Sequence, residues 1–177
     1  VAQQASTLAE EDEAMGLQKF VNWLFRFEDL TPPGSDARYL YRWTLFSLFG
    51  FFKIYLHKIM ASDWARQPHN HPKRFWSIGL KGRYIEEVYE VRPIDINNVA
   101  SPDMRLEKTV SNIFEAPWFR TFDADHIHRL VIPEGAPPAW TLVFVGRPKK
   151  QWGFFEQVTA GRVEFMPYEQ FMKRGDF

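Results

Sequence analysis

Short stretches of alternating hydrophobic and polar residues follow one another along most of the chain, with Gly and Pro between them. Residues 39–46 and 52–59 are rich in aromatic and branched side chains, and a reversal near Gly50 would make them neighbouring strands. Further strands are predicted at residues 75–80, 83–90, 104–110, 118–122, 126–132, 140–145 and 151–155. About eight to ten short strands separated by turn residues favour a β-sandwich or β-barrel over a parallel α/β sheet.

The N-terminal stretch has a different period. Thr7 and Glu10 form a capping-box pattern, and apolar residues then recur at helical spacing as far as Phe27. We therefore expect an amphipathic helix over about residues 8–29, closed by the turn-forming residues 31–35 and packed outside the rest of the fold. This pattern divides the chain into residues 1–34, the helix and turn, and residues 35–177, one β-barrel unit that ends with a turn or two of helix near residues 167–172.

Four of the five histidines lie in two His-x-His pairs, His69 with His71 and His126 with His128. Alternate residues of a strand project on the same face, so each pair can present two imidazoles a few ångströms apart. Two pairs that face one cavity could supply three or four nitrogen ligands to a metal ion. The fifth histidine, His57, is expected to have a structural role or to support a ligand.

A tight turn at Lys81-Gly82 is predicted to lead into a strand with two adjacent glutamates. On that strand Tyr84 and Glu86 share one face. If the sheet closes into a barrel, one of the adjacent glutamates must point inward, and we favour Glu86 as a metal ligand, a general base or a partner of a ligating histidine. A solvated strand glutamate is the alternative.

Composition narrows the functional classes. A hydrophobic content of 45% with seventeen Phe and seven Trp indicates a folded globular protein. Twenty-two basic residues balance twenty-two acidic ones, so neither nucleic acid nor an anionic membrane surface is favoured as a partner. The absence of cysteine excludes disulfides, thiolate nucleophiles and cysteine-based metal sites, and is compatible with a cytoplasmic protein. No apolar run is long enough to span a bilayer, and no secretory signal pattern is present.

The motif His69-Asn70-His71-Pro72, the segment "LKGRY" followed by a glutamate, and the later His128-Arg129-Leu130 resemble the two-motif pattern of the cupin superfamily over roughly residues 40–155. That resemblance implies a double-stranded β-helix, or jelly-roll barrel, with one divalent metal inside it. It also implies that His69, His71 and His128 are the metal ligands, while the second His-x-His pair leaves His126 open as a fourth.

One departure from the usual cupin pattern is informative. The common cupin glutamate follows the second histidine by five residues, and Trp76 occupies that position here. The pattern is thus similar to the three-histidine branch typified by thiol dioxygenases, in which the same hairpin carries G-x-x-x-E, as Gly82 to Glu86 does here. The chain as a whole resembles small bacterial and phage cupin-like proteins.

The resemblance implies a non-haem Fe(II) dioxygenase-type oxidoreductase acting on a small molecule, with Glu86 or Tyr84 handling protons. Zn, Ni or Mn are alternative metals. A non-catalytic cupin that binds a metal or a small ligand, and a metal-independent isomerase or epimerase, stay open as alternative functions. Because edge strands of such barrels often pair between protomers, a homodimer is the default assembly.

Overall fold

The computed structural model describes residues 19, 25–31, 38–49, 51–63, 65, 67–95 and 103–174. These residues form eleven strands and one helix. The strands are β1 (Phe27–Asp29), β2 (Leu40–Leu48), β3 (Phe52–Ile59), β4 (Lys73–Lys81), β5 (Arg83–Pro93), β6 (Met104–Glu115), β7 (Trp118–Phe122), β8 (Ile127–Val131), β9 (Ala139–Pro148), β10 (Gly153–Thr159) and β11 (Arg162–Pro167), and the helix is α1 (Tyr168–Arg174).

Two antiparallel sheets face one another. The larger has the strand order β1-β2-β3-β9-β4-β7, the smaller has the order β6-β5-β8, and β10 and β11 form a separate hairpin. A core cluster joins Leu40, Ile59 and Ala139 of the larger sheet to Tyr84 of the smaller one. The predicted mainly β barrel is therefore confirmed, and its interior lies between the two sheets.

The inner face of the larger sheet is defined by strand register. His57 lies opposite Thr141, and Ser77 lies opposite both Val143 and Arg120. Directly opposed residues share a face, and three of these five, Ser77, Thr141 and Val143, are buried. The alternating pattern that predicted the strands thus also separates this interior from an outer face.

The predicted turn between β4 and β5 is confirmed. Gly82 has a φ of 81°, a conformation that glycine adopts without steric cost. A Cβ at this position would also lie 2.6 Å from the carbonyl oxygen of Pro138. The turn therefore needs glycine for both its backbone conformation and its close packing.

The predicted helix is wrong at its C-terminal end. Phe27–Asp29 is strand β1, paired with residues 41–43 of β2. The ring of Phe27 lies 5.3 Å from those of Tyr41 and Trp43, and Arg26 just before it has a φ of 41° that no helix continues. Cross-strand aromatic contacts outweigh the helical spacing here. Lys19 is helical, Phe25 and Arg26 form a turn, and residues 8–18 and 20–24 of the predicted helix lie outside the described residues.

Near the C-terminus, β10 begins at Gly153 and is longer than predicted, and β11 was not predicted at all. The predicted C-terminal helical turns are confirmed as α1, whose Phe171 packs 4.1 Å from Phe154 between ring centroids. Among the described residues, no helix combines the length and the apolar character needed to cross a membrane.

Candidate metal centre

Main-chain hydrogen bonds bring the two His-x-His motifs together. The amide of His69 donates to the carbonyl oxygen of His128 and the amide of His128 donates back, both at 2.9 Å. His69 also forms an isolated β-bridge with Phe154. The first motif therefore lies between β8 and β10, but it is not part of a regular strand. Buried Asn70 accepts a 3.0 Å hydrogen bond from the amide of Gly153, which fixes the loop that carries His71.

Three imidazoles converge at this point. The ring centroids of His69, His71 and His128 lie 4.9–5.1 Å apart. One potential ligand atom from each lies within 4.8 Å of the others. The Nε2 atoms of His71 and His128 are only 2.7 Å apart, so both rings point at the same small volume.

Glu86 fixes the orientation of His128. The carboxylate is fully buried, and its Oε1 accepts hydrogen bonds from His128 Nδ1 at 2.7 Å and from His126 Nε2 at 2.9 Å. Because an ionised carboxylate only accepts, the proton of neutral His128 must be on Nδ1, which leaves the lone pair on Nε2. That lone pair is directed at His71.

The guanidinium of Arg120 pairs with the other oxygen of Glu86. Burial alone would raise the pKa of Glu86, but hydrogen bonds from His126, His128 and Arg120, together with the positive charge that His128 can carry, hold this pKa well below its usual range. The carboxylate is therefore ionised and saturated with donors. Glu86, His126 and His128 form a second potential ligand group, but the donors already bound to Glu86 make it a partner of His128 more than a ligand.

His69 and His71 are held neutral. Burial lowers the pKa of His69 to about 4, against the opposing charge of Asp63. Burial, followed by the charges of His128 and His69, lowers the pKa of His71 well below its ordinary value. Neutral imidazole is the form that binds metals, so these two side chains are ready to do so at neutral pH.

Asp63 lies behind His69. Its Oδ2 is 3.6 Å from His69 Nδ1 and accepts a 2.6 Å hydrogen bond from the amide of Leu130, while Oδ1 accepts one of 2.5 Å from the hydroxyl of Tyr39. His69 Nδ1 is buried and has no hydrogen-bond partner within the described part of the chain. His69 Nδ1 is therefore a buried nitrogen of the centre that no described residue satisfies with a hydrogen bond.

The donor set fits a divalent transition metal. Two nitrogens bound at about 2.1 Å to one ion and at right angles to each other lie about 3 Å apart, close to the observed separation of the His71 and His128 Nε2 atoms. Ligating histidines usually donate their other ring N–H to a carboxylate, as His128 does to Glu86. The described residues thus offer three imidazole nitrogens, with one ligand already oriented.

Aromatic side chains surround the histidines. The ring centroid of Phe75 lies 4.7 Å from that of His71, Phe122 lies 5.6 Å from His128, and Phe154 lies 5.9 Å from His69. These rings make the surroundings of the cluster apolar, which strengthens electrostatic interactions within it.

The two remaining candidates lie elsewhere in the barrel. Tyr84 is in the apolar core cluster, its ring edge-on to Trp118, and burial followed by the charge of Glu86 raises the pKa of its hydroxyl. His57 accepts a 3.1 Å hydrogen bond from Arg42 Nε, and burial followed by the charge of Arg42 lowers its pKa well below the ordinary value. Neither side chain belongs to a ligand group of the described residues.

Asp63 and Arg120 were not predicted to belong to this centre. Arg120 lies within a predicted short strand, residues 118–122. The strand pattern did contain a signal for Arg120. Residues 118, 120 and 122 share one face of β7, so Arg120 is a cation between the aromatic residues Trp118 and Phe122. No comparable signal marked Asp63.

No protein-family model matches the chain, and none of the curated proteins matches it. Solved structures do match. The DMSP lyase DddQ from Ruegeria pomeroyi is 12% identical with a TM-score of 0.50, and the match covers 76% of this chain and 62% of DddQ. A cupin-2 domain protein from Rhodospirillum rubrum is 13% identical with a TM-score of 0.47 and coverages of 85% and 81%.

A structure of Fe(II)-HppE with an alternative substrate is 9% identical with a TM-score of 0.47. The match covers 67% of this chain and 54% of HppE, so the chain spans about half the length of that protein. At these identities, likeness to known structures concerns the fold.

Proposed function

We propose that this chain, which has the cupin fold, is a non-haem Fe(II) oxidoreductase of the dioxygenase type that acts on a small molecule inside the barrel. The observation that carries the proposal is the convergence of His69, His71 and His128 on one small volume, with His128 oriented by buried Glu86. These three imidazoles would hold the ion. Bound Fe(II) would supply redox chemistry and, with three protein ligands, open coordination positions.

Glu86 has a positioning role in this proposal. By accepting the Nδ1 proton of His128, it keeps the Nε2 lone pair available for the ion. Arg120 balances the charge of Glu86, so the carboxylate stays ionised in spite of its burial. His126 donates to the same carboxylate oxygen and lies ready as a proton carrier at the edge of the site, since its side chain is 20% exposed.

Tyr84 contributes in a different way. Burial and the nearby charge of Glu86 raise its pKa, so its hydroxyl stays protonated at neutral pH and can donate but not act as a base. We therefore assign proton transfer to His126 in preference to Tyr84. Phe75, Phe122 and Phe154 exclude water from the histidines and so protect reactive species from side reactions.

The neutral histidines also fit Zn, Ni or Mn, and a metal site without turnover is the second candidate function. The raised pKa of Tyr84 and the saturated hydrogen bonding of Glu86 favour this candidate over a metal-independent isomerase, because neither side chain is free to act as the base.

Anaerobic reconstitution with Fe(II), followed by exposure to nitric oxide, separates these functions. Nitric oxide occupies positions that dioxygen would use, so we expect stoichiometric iron and the EPR signal of an iron–nitrosyl complex. Oxygen uptake by the same iron-loaded protein, and none by the zinc-loaded protein, is the matching activity result. Iron uptake without a nitrosyl signal would identify a coordinatively closed, non-catalytic site and contradict the proposal.

A further inference from the structure

Three cationic side chains lie near the histidines on the larger sheet. Arg42 opposes His57, which in turn opposes Thr141 of the inner face. Lys53 and Phe75 both oppose Val145, so they share a face too. The Phe75 ring contacts His71, and Lys53 is thus on the same side of the sheet as the proposed metal ligands.

Lys73 opens β4, two residues after His71. Alternate residues of a strand share a face, so Lys73 lies on the same side of β4 as Phe75, whose ring contacts His71. All three cations therefore lie on the face of the larger sheet that carries the histidine cluster.

The tyrosine between two of the cations strengthens this grouping. The guanidinium carbon of Arg42 lies 4.7 Å from the ring centroid of Tyr55, and Lys53 Nζ lies 6.0 Å from it. Arg42 also donates its Nε–H to neutral His57, which orients the guanidinium. Its Nη1 forms an ion pair with Glu28 Oε2 at 3.9 Å, too long for a hydrogen bond, so both terminal nitrogens can still donate to a ligand.

Within the described ranges, Glu28 is the one carboxylate that forms an ion pair with this cluster, and neither Lys53 nor Lys73 forms any. Arg74, the next residue, differs from Lys73 in both respects: it lies on the opposite face of β4, and it forms an ion pair with Asp123 at 3.1 Å. Grouping three like charges on a half-buried face costs free energy through repulsion, and an anion bound between them removes that cost.

We propose that Arg42, Lys53 and Lys73 form an anion-binding subsite beside the histidine cluster, so that the substrate is a small organic anion with a carboxylate or phosphonate group. The inference rests on the proposed function, since it names the substrate class of that site. Arg42 would bind two oxygens of the anion through its terminal nitrogens, and the two lysines would supply point charges. The rest of the substrate would then extend toward His71.

An NMR titration of backbone amides, at constant ionic strength, tests the subsite with three probes of similar size: propionate, ethylphosphonate and propionamide. It is run on metal-free and on Zn-loaded protein. We expect the two anions to shift amides of β2, β3 and β4 in both forms, and propionamide to shift none of them. The tighter of the two anions identifies the headgroup.

Arg42→Gln and Lys73→Gln are each expected to weaken anion binding about tenfold or more. Arg74→Gln, which removes a neighbouring charge from the outer face, is the matched control and should bind like wild type. Equal binding of propionamide and propionate, unchanged affinity in both variants, or no binding of any probe would overturn the inference. Anion binding by a protein that takes up no metal would overturn only the proposed function, and metal binding without anion binding would overturn only the subsite.

Discussion

Strand β5 connects two ends of the barrel interior that differ in their chemistry. Tyr84, 3% exposed, packs among Leu40, Ile59 and Ala139, whereas Glu86, two residues along and fully buried, is surrounded by histidines and Arg120. The first end is stabilised by burial of apolar surface, which depends little on pH or ligands. The second buries charge and polar atoms, which is costly unless each is paired. The polar end is therefore where function is expected to reside.

The largest expected effect is on the apolar end. Tyr84→Ala should lower the free energy of unfolding by about 3–5 kcal/mol, because it removes a large ring from the core cluster. Urea unfolding measures this loss. The metal affinity of the folded protein should stay within a few-fold of wild type, and Ile59→Val, expected to cost about 1 kcal/mol, serves as a milder variant. A large loss of metal affinity in Ile59→Val would show that the two ends are not independent.

A pH series should act through the buried histidines and not through the apolar cluster. The pKa of His69 is about 4 in the folded protein against 6.5 for an ordinary histidine, so the unfolded chain binds more protons between these values. The stability from this group is present above pH 6.5 and is lost as pH falls toward 4, about 3 kcal/mol in metal-free protein. His71 and His57 act in the same direction. Urea unfolding from pH 7 to 4 measures the loss, and a flat profile would contradict the assigned burial of neutral histidines.

Two adjacent glutamates sharpen the contrast between inside and outside. Glu86→Gln should lower metal affinity about 10- to 100-fold, because His128 loses its charged acceptor and Arg120 its partner. Glu87 lies on the opposite face and pairs with Lys108 at 3.0 Å, so Glu87→Gln is the matched control and should bind metal like wild type. Competition with a chromogenic chelator measures both. Equal losses in the two variants would mean that the effect is not specific to the inner face.

The smallest expected effect is at Asp63. Its Oδ2 lies 3.6 Å from His69 Nδ1, beyond hydrogen-bond distance, so Asp63→Asn should weaken metal binding only about tenfold. Asp123→Asn, at an exposed ion pair with Arg74, is the control. The same competition assay applies, and a loss larger than that of Glu86→Gln would mean that Asp63 is the more important support.

Much of the barrel could be predicted from the sequence because alternation of side chains along a strand is a local property. The β-barrel was predicted in this way, the cupin fold from the resemblance of the histidine motifs, and the turn from the conformation that Gly82 allows; all three are confirmed. The parity of β5 also indicated that Tyr84 and Glu86 share a face, and both are buried. Several assignments stay predictions: the metal-ligating role of His69, His71 and His128, the proton-transfer roles of Glu86 and Tyr84, the homodimer and the cytoplasmic location.

The rest depends on contacts between distant parts of the chain. Strand β1 forms because Phe27 finds Tyr41 and Trp43 across the strand pair, a contact that no local pattern encodes. Asp63 likewise gains its role only when β8 brings Leu130 and His69 beside it. Long-range partners of single polar residues are set by the tertiary structure, and this is why Asp63 and Arg120 were missed.

The most direct test of the histidine centre is elemental analysis of the purified protein beside a His69→Ala/His128→Ala double variant and a His57→Ala control. Three converging imidazoles predict near-stoichiometric metal in the wild type after reconstitution with Fe(II), its loss in the double variant, and its retention in His57→Ala. A wild-type protein that stays free of metal after reconstitution, or a double variant that retains it, would contradict the account.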